Sequence, residues 1–167
     1  KVDAVVNTGV AGAIHSSLDV NDIVISTEAI QYDVDATPFG YKKGQIPQMD
    51  NSVFKADEKL VQTAYKSSLE QAKGEDFKIV KGRVATGDIF ISSKELKEEL
   101  DKDFNAYCGE MEGGAIAHVC TLNKVPFVII RAMSDKADGS ADVTYDEFVK
   151  VAAHNSKDIV LNMLKAL

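Results

Sequence analysis

Val125-Pro126-Phe127-Val128-Ile129-Ile130-Arg131-Ala132-Met133 is a nearly continuous apolar run, and the polar Ser134-Asp135-Lys136 follows it at once. Apolar residues at successive positions, rather than at every second one, mark a strand covered on both faces, as in the centre of an α/β sheet. Pro126 fits the very start of such a strand, where a missing N–H is tolerated.

Strand and helix patterns alternate outward from this run. Met111 to Leu122 is helical in pattern and nearly uncharged, which implies burial on most sides, and Asn123-Lys124 breaks it. Asp22 to Thr27 and Phe77 to Ala85 carry the β-branched side chains that favour a pleated surface, and Ala4-Val5-Val6 reads as a strand ending in a polar Asn7-Thr8-Gly9 turn. Leu60, Ala64 and Leu69 predict an amphipathic helix over 55–72 that Gly74 stops. Ser92 with Glu95, and Thr144 with Glu147, match capping boxes. The first predicts a short helix over 93–102. The second opens a C-terminal helix whose inward face is Phe148, Ala152, Ile159 and Met163. Residues 31–52 lack periodicity and are expected to form a long loop, a feature that tends to be functional inside a compact domain. The alternation predicts one α/β domain.

Composition narrows the function. The 167 residues are 45% hydrophobic and carry a net charge of −7, which suits a globular domain and disfavours a phosphate-backbone binder. No apolar run approaches the length of a membrane span. Two cysteines, Cys108 and Cys120, give no disulfide framework, so a reducing, cytoplasmic setting is expected. Gly9-Val10-Ala11-Gly12 lacks the spacing of a dinucleotide fingerprint, and no Gly-Lys-Ser or Gly-Lys-Thr pair forms a phosphate loop. The histidines His15, His118 and His154 are widely separated and predict no metal site.

Ligands of open α/β sheets collect outside the carboxyl ends of strands. That directs attention to Asn7-Thr8-Gly9, Thr86-Gly87-Asp88 and Ser134-Asp135-Lys136. The residues alone leave roles open. Asp135 is a loop cap or a catalytic acid, Phe90 a core or a binding aromatic. One of Glu110 and Glu112 complements a helix dipole.

Four motifs in order carry a resemblance: Asn7-Thr8-Gly9-Val10-Ala11-Gly12, Gly87-Asp88-Ile89-Phe90-Ile91, Glu110-Met111-Glu112-Gly113, and Arg131-Ala132-Met133-Ser134-Asp135-Lys136-Ala137-Asp138. Together they resemble the 5′-methylthioadenosine/S-adenosylhomocysteine nucleosidases of the purine nucleoside phosphorylase superfamily. The resemblance runs from Val5 almost to Leu167. It implies a three-layer fold with a central mixed sheet flanked by helices. The implied activity is hydrolysis of the N-glycosidic bond of a neutral adenine thionucleoside by a cytoplasmic homodimer without cofactor, metal, nucleic acid or membrane.

The resemblance also implies roles by residue. Asp135 is the catalytic acid at adenine N7, supported by Ser134. Phe90 stacks on the base and Ile91 offers backbone groups to its edge. Met111 lies under the ribose, Glu112 holds the ribose hydroxyls and Arg131 steadies Glu112. Tyr145 lines the alkylthio side. Ala36, Phe39 and Pro47 reach a neighbouring subunit's pocket. Val10 stands in a position often occupied by Ser, and the pair Gly113-Gly114 departs from the family pattern. The family also has an earlier strand followed by a glutamate that activates the attacking water, which has no counterpart among these 167 residues. The expectation is that this polypeptide alone hydrolyses little. The nearest alternatives are a phosphate-dependent purine nucleoside phosphorylase, which would need donors around Gly9 and Arg83, and a non-catalytic nucleoside-binding protein.

Overall fold

A computed structural model of the chain describes residues 2–138 and 141–167, with the backbone alone for 141–147. The apolar run forms β6 (Phe127–Asp135), buried at every position. Its residues alternate between two faces, as a strand requires. Val128, Ile130 and Ala132 pack in one apolar cluster with residues of α1 (Glu58–Gln71) and α4 (Ala141–Ala166). Phe127, Ile129 and Met133 pack in another, with Ala117 and Cys120 of α3 (Gly113–Leu122). α2 (Lys94–Phe104) covers a third cluster through Leu100 and Phe104. The result is a mixed sheet flanked by helices.

The sheet closes on itself. β2 (Ile23–Gln31) pairs in parallel with β4 (Ile79–Thr86), β4 with β5 (Ala106–Glu110), and β1 (Val5–Ala13) with β6. β1 also meets β5 antiparallel, and Ile23–Ile25 of β2 return antiparallel to β6, completing a ring. The other half of that edge of β2 pairs with β3 (Val53–Lys55), so β2 serves two neighbours along one side. An irregularity between Ser26 and Glu28 bends β2 between these two duties.

Several local expectations shift. Asn7-Thr8-Gly9 is not a turn but the middle of β1. Asn7 accepts from Arg131, and Thr8 bonds Ser156 on α4, so tertiary partners satisfy polar side chains that look like turn residues in sequence. Ser93, not Ser92, caps α2, accepting from the Leu96 N–H at 3.2 Å. α3 begins at Gly113 because Ala106–Glu110 form a strand of their own. α4 begins at Ala141, ahead of Thr144, and the side chains of its proposed capping box lie outside the described residues. The long loop after β2 contains a single 3₁₀ turn, Thr37–Phe39. No helix among the described residues is long and apolar enough to cross a membrane.

Candidate active site

A cavity of about 410 Å³ opens where β1, β5 and β6 meet the segment after β4. Gly9, Val10, Ala11 and Gly12 form one wall, Ile89, Phe90 and Ile91 a second, and Met111 and Glu112 a third; Ser134 and Asp135 stand at the end of β6. Seven of the residues singled out in sequence therefore meet in one place: Val10, Phe90, Ile91, Met111, Glu112, Ser134 and Asp135. Arg131 lies behind that lining. The side chain of Tyr145 falls outside the described residues.

Successive residues of a regular strand point to opposite faces, yet Ser134 and Asp135 both line the cavity. The β1–β6 register explains this. Ala11 is opposite Met133 and Gly12 opposite Asp135, so Ser134 is an extra residue that re-aims the strand end. Asp135 is 2% exposed, and two donors orient its carboxylate. Ser134 Oγ donates to Oδ2 at 2.8 Å and the Ala137 N–H donates to Oδ1 at 2.7 Å. Gly12 is required opposite this group, because a Cβ there would lie 2.9 Å from Asp135 Oδ1 and 2.8 Å from the Ala137 Cβ.

The floor is ionic. Arg131 shares the inward face of β6 with Ile129 and Met133, and its guanidinium binds Glu110 through Nη2 and, at 3.1 Å, through Nε. Asn7 Oδ1 accepts a further bond from Nη2 at 2.6 Å. Glu110 also receives the Thr86 hydroxyl on Oε1 and the Gly113 N–H on Oε2, the latter at 2.7 Å. Thr86 Oγ1 in turn accepts from the Gly114 N–H at 2.6 Å. The first turn of α3 is thus capped by Glu110 and Thr86, and no side chain at its N-cap Glu112 does this. The double glycine has a steric reason. A Cβ at Gly113 would come within 2.8 Å of the Glu110 carboxylate, and one at Gly114 within 2.7 Å of Thr86.

Arg131 forms the expected ion pair with Glu112, but as the longer of two. Its main partner is Glu110; Glu112 approaches only to 3.8 Å, and the Glu112 side chain is 68% exposed. Glu110 is the glutamate that complements the helix, which leaves Glu112 available to a ligand. The signals that sequence reasoning missed are Glu110 itself, Asn7 and the extra residue in β6. Glu110 left a trace in sequence as a second acid two residues from Glu112, and Asn7 as the first residue of a motif.

Ala36, Phe39 and Pro47 are not alike. Phe39 is 83% exposed and Pro47 is exposed, whereas Ala36 is buried in its own chain and presents little surface to a neighbour.

Comparison with known proteins agrees with this geometry. Residues 1–165 match the Phosphorylase superfamily. The chain is 44% identical over 168 residues to the 5′-methylthioadenosine/S-adenosylhomocysteine nucleosidase of Actinobacillus succinogenes, covering all of this chain and 71% of that protein. It is 47% identical to the nucleosidase of Halalkalibacterium halodurans, covering 98% and 69%. Among solved structures, the Neisseria meningitidis nucleosidase in complex with methylthio-immucillin-A superposes with a TM-score of 0.91 at 42% identity, covering 99% of this chain and 71% of that one. The futalosine hydrolase of Helicobacter pylori superposes with the same TM-score of 0.91 at 34% identity, covering 99% and 69%. With motif order, fold and cavity in accord, the chain belongs to the 5′-methylthioadenosine/S-adenosylhomocysteine nucleosidase family of the Phosphorylase superfamily.

Proposed function

We propose that this protein hydrolyses the N-glycosidic bond of 5′-methylthioadenosine and S-adenosylhomocysteine, releasing adenine and the thioribose product in methionine salvage. One observation carries the reading. A buried, doubly oriented carboxylate, Asp135, and an exposed one, Glu112, line the same cavity, and no Lys or Arg is among the described residues lining it. Departure of adenine leaves positive charge on the sugar and negative charge on the base. Asp135 in its protonated form delivers a proton to N7 of the departing base, directly or through one water. A water molecule adds to the anomeric carbon of the cationic sugar, and the proton it releases restores the acid. Glu112 binds the ribose hydroxyls, and its charge favours the cationic sugar more than the neutral ground state. Phe90, 43% exposed, stacks on the purine, and Ile91 offers backbone groups to its edge. Met111 lies under the ribose, and the apolar walls suit the neutral thioether tail, which asks for no basic residue.

Phosphate as nucleophile fits less well. Arg83, the cation such a site would recruit, is held by Glu28 and by the Phe104 carbonyl. Val10 supplies no hydroxyl at the cavity wall. The enzyme acts within one domain as a homodimer, with Phe39 and Pro47 reaching the neighbouring pocket. The free, buried Cys108 and Cys120 suit a cytoplasmic setting.

The test is incubation of a full-length version of the protein with methylthioadenosine, with and without phosphate, followed by product analysis. Free methylthioribose formed without phosphate is expected, and strict phosphate dependence with a ribose-1-phosphate product would overturn the reading. Asp135→Asn is expected to lower turnover by about a thousandfold while adenine binding survives. Unchanged turnover would reduce the carboxylate to a loop cap.

A further inference from the structure

The turn that carries Asp135 is held by a residue that does not line the cavity. Lys97, in the first turns of α2, donates from Nζ to the main-chain carbonyl of Lys136 at 2.5 Å. The contact spans 39 positions of sequence and ties α2 to the residue directly after Asp135. The next residue, Ala137, is fully buried with φ +50, a left-handed conformation that a residue with a Cβ adopts at a cost. That conformation aims the Ala137 N–H at Asp135 Oδ1.

A strained turn persists only when its surroundings over-determine it. Three contacts do so here. Gly12 of β1 closes against Ala137 and the Asp135 carboxylate from one side. The Lys136 ammonium is anchored outside by Asp19. Lys97 fixes the carbonyl between them. The charges facing Lys97 are Asp138, Lys136, Asp135 and Asp101, and burial pulls its ammonium below the ordinary lysine range while the aspartates oppose this.

We propose that Lys97 is a positioning residue for Asp135, pinning the Lys136 carbonyl so that the Ala137 N–H stays on Oδ1 and the carboxylate keeps the angle from which it serves the base. This rests on the function proposed above. It deepens that function by adding a residue on α2, which no motif of the sequence marks. Positioning errors of about 1 Å cost up to a hundredfold in rate, so one hydrogen bond on a strained turn is enough to matter.

The experiment compares Lys97→Met, Lys97→Gln and Lys97→Arg with the wild type in the full chain. It measures kcat and KM for methylthioadenosine, the thermal midpoint, and amide hydrogen exchange at Ala137 relative to the β6 amides. Lys97→Met and Lys97→Gln are expected to lower kcat about tenfold with KM within about twofold. Exchange at Ala137 is expected to rise about tenfold while the β6 amides hold. Lys97→Arg, which keeps a charged donor, is expected to restore both. Unchanged kcat and unchanged Ala137 exchange in Lys97→Met would overturn the proposal, as would a loss confined to KM or a general loosening of β6. If the wild type leaves methylthioadenosine intact, the proposed function fails, and the exchange at Ala137 alone decides whether the lysine holds the turn.

Discussion

Glu110 in the floor of the cavity and Glu112 at its rim stand two residues apart, yet they are held by different physics. Below Met111, the side chains of Glu110 and Arg131 are 2% and 1% exposed and bind each other, with Thr86, Asn7 and the Gly113 N–H filling the remaining positions. Two residues on, Glu112 is mostly solvated and stands 3.8 Å from the same guanidinium. A buried ion pair costs several kcal/mol per charge in lost hydration, and only a full set of partners offsets it. The floor therefore has one arrangement and no freedom. At the rim, Glu112 has only the longer contact to that guanidinium and stays open to a ligand.

The floor should break hardest. Arg131→Met leaves the Glu110 carboxylate buried without its cation, so a loss of about 3–5 kcal/mol in denaturant unfolding is expected. That is a large share of the 5–15 kcal/mol, in round terms about ten, that holds a typical domain. The double replacement with Glu110→Gln should lose much less than the sum of the two single ones, because the pair is coupled. A cost below about 1 kcal/mol for Arg131→Met would erase the contrast between floor and rim.

Between the two lies the Asp135 corner. Gly12→Ala sets a methyl group against the Asp135 carboxylate and the Ala137 side chain, both closer than 3.0 Å. The strand or the turn must shift, and turnover is expected to fall about a hundredfold. Stability should drop by about 1–3 kcal/mol, the usual cost of overpacking. Unaltered kcat would show that the turn yields without moving Asp135. At the rim itself, Glu112→Gln is expected to reduce kcat/KM by about tenfold with unfolding unchanged within about 0.5 kcal/mol. A stability loss comparable to that of Arg131→Met would place Glu112 in the floor after all.

The same contrast explains what could be read from sequence. β6 was legible because burial on both faces leaves a continuous apolar run, a pattern that local chemistry produces by itself. The rim was legible through the family motifs, since Phe90, Met111, Glu112 and Asp135 stand in them. The floor was not. Asn7 and Thr8 look like turn residues until Arg131 and Ser156 arrive from 124 and 148 positions away. Ala106–Glu110 is too short and mixed to announce a strand, and it gains its identity by pairing with β4 and β1. Which of Glu110 and Glu112 meets Arg131 depends on where β5 stops and α3 starts, a boundary set by the Thr86 and Glu110 caps. The closure of the sheet by the return of β2 to β6 is likewise a tertiary fact that no local pattern announces.

The smallest effect concerns Cys108, which shares β5 with Glu110 and is fully buried. Burial, and then the Glu110 charge, push its thiol well above the ordinary cysteine range, while Arg131 pulls the other way. Native protein at pH 8 should therefore leave Cys108 unmodified by a thiol reagent over hours, with catalysis intact, and should react promptly once unfolded. The stability consequence has a definite sign. Below the unfolded thiol's pKa, about 8.5, both states hold the proton and nothing is lost. Above it the unfolded chain releases a proton that the folded chain retains, so stability declines with rising pH. Between pH 8.5 and 9 the expected decline is under about 1 kcal/mol. Thermal melts across that window, compared with Cys108→Ala, isolate the contribution. A decline of equal slope in Cys108→Ala would assign it to other groups, and rapid modification of the native thiol would mean that the floor opens far more often than its ion pair allows.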